Sequence, residues 1–245
     1  MKFPIVRRRR LERVEARFRE QIANLKRKLE KAERREERRR EENEKFRRPK
    51  IFCVGLNKTG TTSLEKVFEQ VGFSVGDCRG GEMLIEEWAE RNFQPILEFC
   101  HTADAFQDCP FSYPHTFIAL DIAFPNAKFI LSTRDSAEQW WGSLTRFHSK
   151  LWADGNRVPS KEDLEKADYI YPGRPWRSNR LVYGTPEHDP YDRGTLLAHY
   201  ERHNSAVQEY FRHRPEKLCV VNVAKRADYQ KLCQFLEVQP KGEDF

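Results

Sequence analysis

Residues 54–64 read Val54-Gly55-Leu56-Asn57-Lys58-Thr59-Gly60-Thr61-Thr62-Ser63-Leu64, and the chain changes periodicity on either side of them. Upstream, residues 51–56 form a short apolar run of the kind that makes a fully buried strand. Downstream, Leu64, Val67, Phe68 and Val71 recur at helical spacing, and Gly72 closes the pattern. A strand, a glycine-bearing turn and a helix in that order leave the first backbone N–H groups of the helix without partners in the chain. Those groups converge on one point, and the helix dipole adds positive potential there. Gly60 lets the backbone approach an anion closely, and the threonine hydroxyls add donors. The segment therefore predicts a phosphate-binding loop.

The position of the lysine narrows the chemistry. A nucleotide-hydrolysing loop of the form GxxxxGK[ST] places Lys directly after the second glycine. Here Thr61 occupies that place, and the lysine is Lys58, ahead of Gly60.

Working outward, the rest of the chain supplies more strands and helices in alternation. Residues 73–75, 105–107, 128–132 and 217–223 read as strands. Residues 82–91, 95–101, 113–124, 136–152, 194–213 and 227–236 read as helices. Alternation without tight hairpin signals predicts an α/β fold, with helices on both faces of a central parallel sheet. Residues 153–193 are rich in Gly and Pro, and apart from a short helix near 161–167 they read as a long connection, a candidate lid.

The first fifth of the chain is different. Residues 1–50 hold 21 basic and 10 acidic side chains, against 23 and 28 in the remainder, so the excess positive charge sits in this arm. Leu11, Val14, Phe18, Ile22, Leu25 and Leu29 fall on one helical face, followed by a charged stretch with almost no apolar residue. The arm (residues 1–50) predicts a long charged helix, with a short coiled coil or docking segment in residues 7–49 for self-association or a partner protein. Its interleaved acidic residues and scarce aromatics argue against nucleic-acid binding. No run approaches the ~18 apolar residues of a membrane span. The N-terminus shows no apolar signal region, so a cytoplasmic location is expected. The six cysteines form no CxxC pair; a disulfide among Cys78, Cys100 and Cys109 stays open at this point.

A second segment, KFILSTRDSAEQWWGSL from Lys128, is a strand running into Arg134 and then a helix. Together with the KTGTTSL loop it resembles the sulfotransferases that use 3′-phosphoadenosine 5′-phosphosulfate (PAPS). The C-terminal Tyr200, His203, Asn204 and the KLCVVNV strand resemble the same superfamily, so the likeness spans about residues 51–240. It implies a P-loop-type three-layer α/β/α domain over residues 51–245. It also implies transfer of a sulfuryl group to a hydroxyl or amine acceptor, with PAP as product and no metal. By this resemblance Lys58 stabilises charge on the leaving group, and Thr59, Gly60, Thr61, Thr62 and Ser63 hold the 5′-phosphate. Arg134 and Ser143 would hold the 3′-phosphate. Ser143 stands nine residues after Arg134, where the family commonly has eight, and Ser136 is a competing donor.

The general base is expected between the two motifs. Asp108 is preferred, since it follows a strand end, with His115, His101 and His148 as alternatives. Arg174, Arg177 and Arg180 are further candidates for anion contact. Two other readings compete: a P-loop small-molecule kinase with a degenerate loop, using Asp121 on Mg²⁺, and a non-catalytic coiled-coil scaffold that binds nucleotide.

Overall fold

The computed structural model describes residues 26–31, 33–34 and 48–245, and the chain divides into residues 1–48 and 49–245. In the first unit, residues 26–31 and 33–34 are helical and exposed, Leu29 included. The rest of the apolar stripe, and with it the coiled-coil expectation, lies outside the described residues.

The second unit is built on a sheet of four parallel strands. In chain order these are β1 (Ile51–Cys53), β2 (Ala105–Phe106), β3 (Lys128–Ser132) and β6 (Leu218–Val221), lying side by side as β2-β1-β3-β6. Phe52 sits opposite Phe106 on one side and Phe129 on the other. Residues 73–75 do not form a strand of their own; Val75 makes an isolated bridge to Ala105.

Alternation along the strands divides the side chains between two cores. Phe52, Val54, Phe106, Phe129 and Leu131 pack with Ile85, Trp88, Phe117, Val207 and Phe211. Ile51, Cys53, Ala105, Ile130, Cys219 and Val221 pack against Leu64, Val67, Phe68, Tyr229 and Leu232. A strand apolar on both faces is what a parallel sheet between two helical layers requires. The three-layer α/β/α expectation holds.

The helices carrying those residues are α1 (Thr61–Gln70), α2 (Cys78–Glu82), α3 (Ile85–Ala89), α4 (Gln94–Phe99) and α5 (Thr116–Ala123). They continue with α6 (Ala137–Trp152), α7 (Lys161–Lys166), α8 (Arg174–Ser178), α9 (Arg193–Phe211) and α10 (Arg226–Leu236). Ser136 caps α6 by accepting the Gln139 N–H, and Asp192 caps α9 through Thr195.

The Gly/Pro-rich connection is more ordered than its composition suggests. Besides α7 and α8 it holds a two-strand hairpin of β4 (Asp168–Tyr169) and β5 (Tyr171–Pro172), then a π-helical turn at Asn179–Tyr183. A third apolar cluster joins Leu164 and Tyr191 of this connection to Leu56, Trp140, Leu144, Leu196 and Tyr200. The connection is tied down by long-range packing, which local periodicity does not report.

All six cysteines are free thiols. The Cys78, Cys100 and Cys109 bridge is therefore absent; the Cys100 thiol donates to the Ile96 carbonyl instead. Among the described residues, no helix is long and apolar enough to cross a membrane.

Candidate active site

Ligands of open parallel sheets gather at the C-terminal strand ends, where successive connections leave in opposite directions. Here β1 lies between β2 and β3, so that point is the loop after β1. A cavity of about 350 Å³ opens there. Lys58 and residues 60–63 line it from the end of β1, Asp108 and Cys109 from the end of β2, and Arg134 from the end of β3.

The loop is held by steric fit and by hydrogen bonds. Gly60 has φ 107°, and a Cβ placed on it would lie 2.2 Å from a Val223 methyl carbon. No other residue fits both the conformation and the space. Gly60 also caps α1 without offering a side-chain acceptor, which leaves the first-turn amides facing the cavity. Thr59 is fully buried; its hydroxyl donates to the Leu56 carbonyl and meets the Ser132 hydroxyl at 2.6 Å. The Thr59 side chain thus pins the loop to β3 instead of facing the cavity, and its backbone N–H donates to the Leu56 carbonyl as well.

Lys58 carries a left-handed backbone, φ 66°, which turns the chain back on itself. Its carbonyl accepts a 2.8 Å hydrogen bond from Arg134 Nε. Its ammonium lies over the Phe147 ring, 3.3 Å from the centroid. Burial lowers the Lys58 pKa, Asp108 opposes that shift, and Arg134 adds to it. Arg134 is fixed from a second side, since its own N–H donates to the Tyr200 hydroxyl at 2.8 Å. The Tyr200 ring stacks on Trp140, whose indole N–H reaches the Asn57 carbonyl. The two motifs thus meet in one cavity through a buried aromatic frame.

Ser143 is not brought into the cavity wall, where its helix neighbours Leu144, Phe147 and His148 stand. Ser136 serves as the helix cap.

Among the candidate bases, Asp108 and His148 line this cavity. Asp108 follows β2 in a left-handed conformation, φ 63°. Burial pushes its pKa up, against hydrogen bonds from Cys109, the field of Lys58 and a long 3.5 Å contact from the Thr61 hydroxyl. A carboxylate whose pKa is raised by burial is a stronger base than one in water, which suits it to take a proton from an acceptor. His148 hydrogen-bonds the Tyr191 hydroxyl at 2.9 Å and is pushed down to about 3 by burial. His115 lines a separate cavity with His199 and His203, and His101 packs at the surface against Phe124.

Of the other lining residues, Arg174 is one of the arginines the sequence offered for anion contact, while Glu82 and the tyrosines carry no signal in the linear sequence. Glu82 enters from α2, where burial raises its pKa; it accepts a hydrogen bond from the Tyr169 hydroxyl. Arg174 is buried, donating to the Glu82 carbonyl and the Tyr113 hydroxyl, with its guanidinium 3.7 Å from the Glu82 carboxylate. Arg177 instead pairs with Glu86, and Arg180 with the Thr185 carbonyl. Tyr169, Tyr183 and Tyr191 complete the wall from the 153–193 connection. Asp121, the residue a kinase reading would place on Mg²⁺, is at the other end of the sheet, paired with Arg214 and Lys217. No cluster suited to a metal occurs among the described residues.

A family model described as a sulfotransferase domain matches residues 50–245, most of the chain. A search of curated proteins returns no match. The chain belongs to the sulfotransferase-domain family.

Proposed function

We propose that this protein transfers a sulfuryl group from PAPS to a hydroxyl or amine of a small acceptor, releasing PAP. The observation that carries the reading is the convergence of Lys58, the α1 N-terminus, Arg134 and Asp108 on one cavity, with the Lys58 and Arg134 segments hydrogen-bonded to each other.

The roles follow from charge and position. The backbone from Gly60 to Ser63, with the Thr61, Thr62 and Ser63 hydroxyls, takes the 5′-phosphate at the helix N-terminus. Arg134 takes the 3′-phosphate as a planar donor; neither Ser143, off the cavity wall, nor Ser136, engaged as the α6 cap, is needed for that role. The donor supplies a sulfur whose bond to the bridging oxygen breaks as the bond to the acceptor forms. Lys58 stabilises the negative charge that collects on that oxygen, an electrostatic role prepared before reaction. Asp108 removes the acceptor proton. Glu82, Tyr169 and Tyr183 face the acceptor. The unpaired thiols suit the reducing cytoplasm, where we place the protein. A docking role for residues 7–49 remains part of the proposal.

Thermal shift with adenosine 3′,5′-bisphosphate tests the donor site directly. At ~100 times its dissociation constant, a ligand stabilises by ~2.7 kcal/mol, a shift of roughly 5–10 °C for a domain of this size. The shift is expected with the bisphosphate, not with ATP and Mg²⁺, and is expected to shrink in Arg134→Ala. A shift with ATP and Mg²⁺ alone would replace this reading with a kinase; none with either would leave a scaffold.

A further inference from the structure

Phe147 is 42% exposed, one of the few large apolar side chains left at the surface of the domain, and it lines the cavity from α6. The ring belongs to none of the three apolar clusters of the domain, so core packing does not account for its place. Its notable neighbour is the Lys58 ammonium, at 3.3 Å from the ring centroid, the approach of a cation seated on a π face.

The alternative resting place for that ammonium is Asp108. The two groups share the cavity, and each acts on the other through its charge. Yet among the described residues Lys58 makes no ion pair with Asp108 or any other carboxylate. A lysine has a flexible four-carbon stem, and in a partly desolvated cavity an unrestrained ammonium settles on the nearest carboxylate. Here the root of the side chain is fixed by the left-handed backbone and the carbonyl bond to Arg134, and its head by the ring.

We infer that Phe147 is a positioning residue whose ring holds the Lys58 ammonium off Asp108, leaving the cation free for an incoming anion and the carboxylate free for a proton. A closed Lys58–Asp108 pair would quench both functions at once. The contact is independent of the donor's identity; its role in turnover rests on the sulfuryl-transfer reading.

The groups facing Asp108 are Lys58 and Thr61 from the loop and α1, Cys109 beside it, Glu65 from α1, Cys78 and Glu82 from α2, Cys53 from β1, and Tyr169 and Tyr183 from the 153–193 connection. Lys58 is the cation among them. Arg134 and His148 face Lys58 from the other side. A change in the Asp108 midpoint on altering Phe147 therefore reports the movement of Lys58.

The test is carbon-13 NMR titration of the Asp108 carboxyl in the full chain, with Asp108→Asn used for assignment. The Lys58 ε-methylene proton shift is followed in the same samples. In Phe147→Leu, and in Phe147→Met as a second non-aromatic variant, the Asp108 midpoint is expected to fall by about one to three pH units as the ion pair closes. The Lys58 ε-methylene protons lose their upfield ring shift, and Phe147→Tyr retains both wild-type signatures. A midpoint that stays put in the folded Leu and Met variants overturns the inference, as does a wild-type Lys58 without the ring shift. Calorimetry with adenosine 3′,5′-bisphosphate on the wild type is run separately. Failure to bind would remove the donor site without touching the carboxyl result.

Discussion

Arg134 Nε donates a 2.8 Å hydrogen bond to the carbonyl oxygen of Lys58, joining two segments 76 residues apart. The bond makes the ends of the proposed nucleotide site interdependent. Whatever displaces the Arg134 guanidinium also releases the backbone of the residue expected to stabilise the leaving group.

Arg134→Lys keeps the charge and removes the planar fork together with its Nε donor. A hydrogen bond to a charged group contributes ~1.5–3 kcal/mol, so affinity for adenosine 3′,5′-bisphosphate should fall roughly 10- to 150-fold. Calorimetry at fixed ionic strength measures this, and an affinity within about threefold of wild type would remove Arg134 from the site.

Gly60→Ala places a methyl group against Val223 and forces a non-glycine residue to φ 107°. Strain and overpacking each cost ~1–3 kcal/mol. Tm should therefore drop by several degrees and bisphosphate binding should disappear. Adding Val223→Ala relieves the clash but not the backbone strain, so the double variant should recover part of the Tm.

These residues mark the limits of what could be read in the linear sequence. The strand–loop–helix around Gly60 was legible because it is local: an apolar run, a glycine and a helical stripe lie within residues 51–71. The position of Asp108 was legible because parallel strands end at the ligand crevice. Glu82 and Tyr169 were not, because they reach the cavity only through the packing of the 153–193 connection on α2, and the three arginines of that connection could not be told apart before Arg174 was seen to line the cavity. Local patterns carry no trace of such contacts. The same holds for Thr59, whose residue type suggests a ligand contact while its burial against Ser132 assigns it to the scaffold. The departure at Ser143 was visible as spacing, and the cavity wall passes it by.

Asp108 should act against stability where it is charged. Its folded pKa is raised, chiefly by burial, so its favourable contribution is complete below the unfolded value and is lost as pH rises through the folded one. Asp108→Asn should accordingly raise Tm at pH 8, by roughly 2–4 °C if on the order of 1 kcal/mol is recovered. The difference should close towards pH 3, and sulfuryl transfer should be lost. Equal Tm values at pH 8 would contradict a desolvated carboxylate.

Asp121 should behave in the opposite sense. Despite burial, its pKa is lowered by hydrogen bonds from Lys217, Arg214 and Tyr210. Its stabilisation is present above the unfolded carboxylate value and fades as pH falls through the folded one. Asp121→Asn leaves two cations facing a neutral amide, and should cost about 2–3 kcal/mol at pH 7, towards the lower end for a partly exposed pair. Urea unfolding at pH 7 and pH 3 should show that penalty shrinking in acid.

The wedge of Val223 against Gly60 also has a consequence in time. The loop after β1 leaves the ribosome well before the residue that shapes it, which lies beyond β6. At ~5–20 residues per second the interval is roughly 10–30 s. Once β3 is made and until β6 follows, the nascent domain has β3 unpaired on one edge and lacks the Val223 side chain against Gly60. A polypeptide released before β6 would carry the strand–loop–helix around Gly60 without the residue that shapes it.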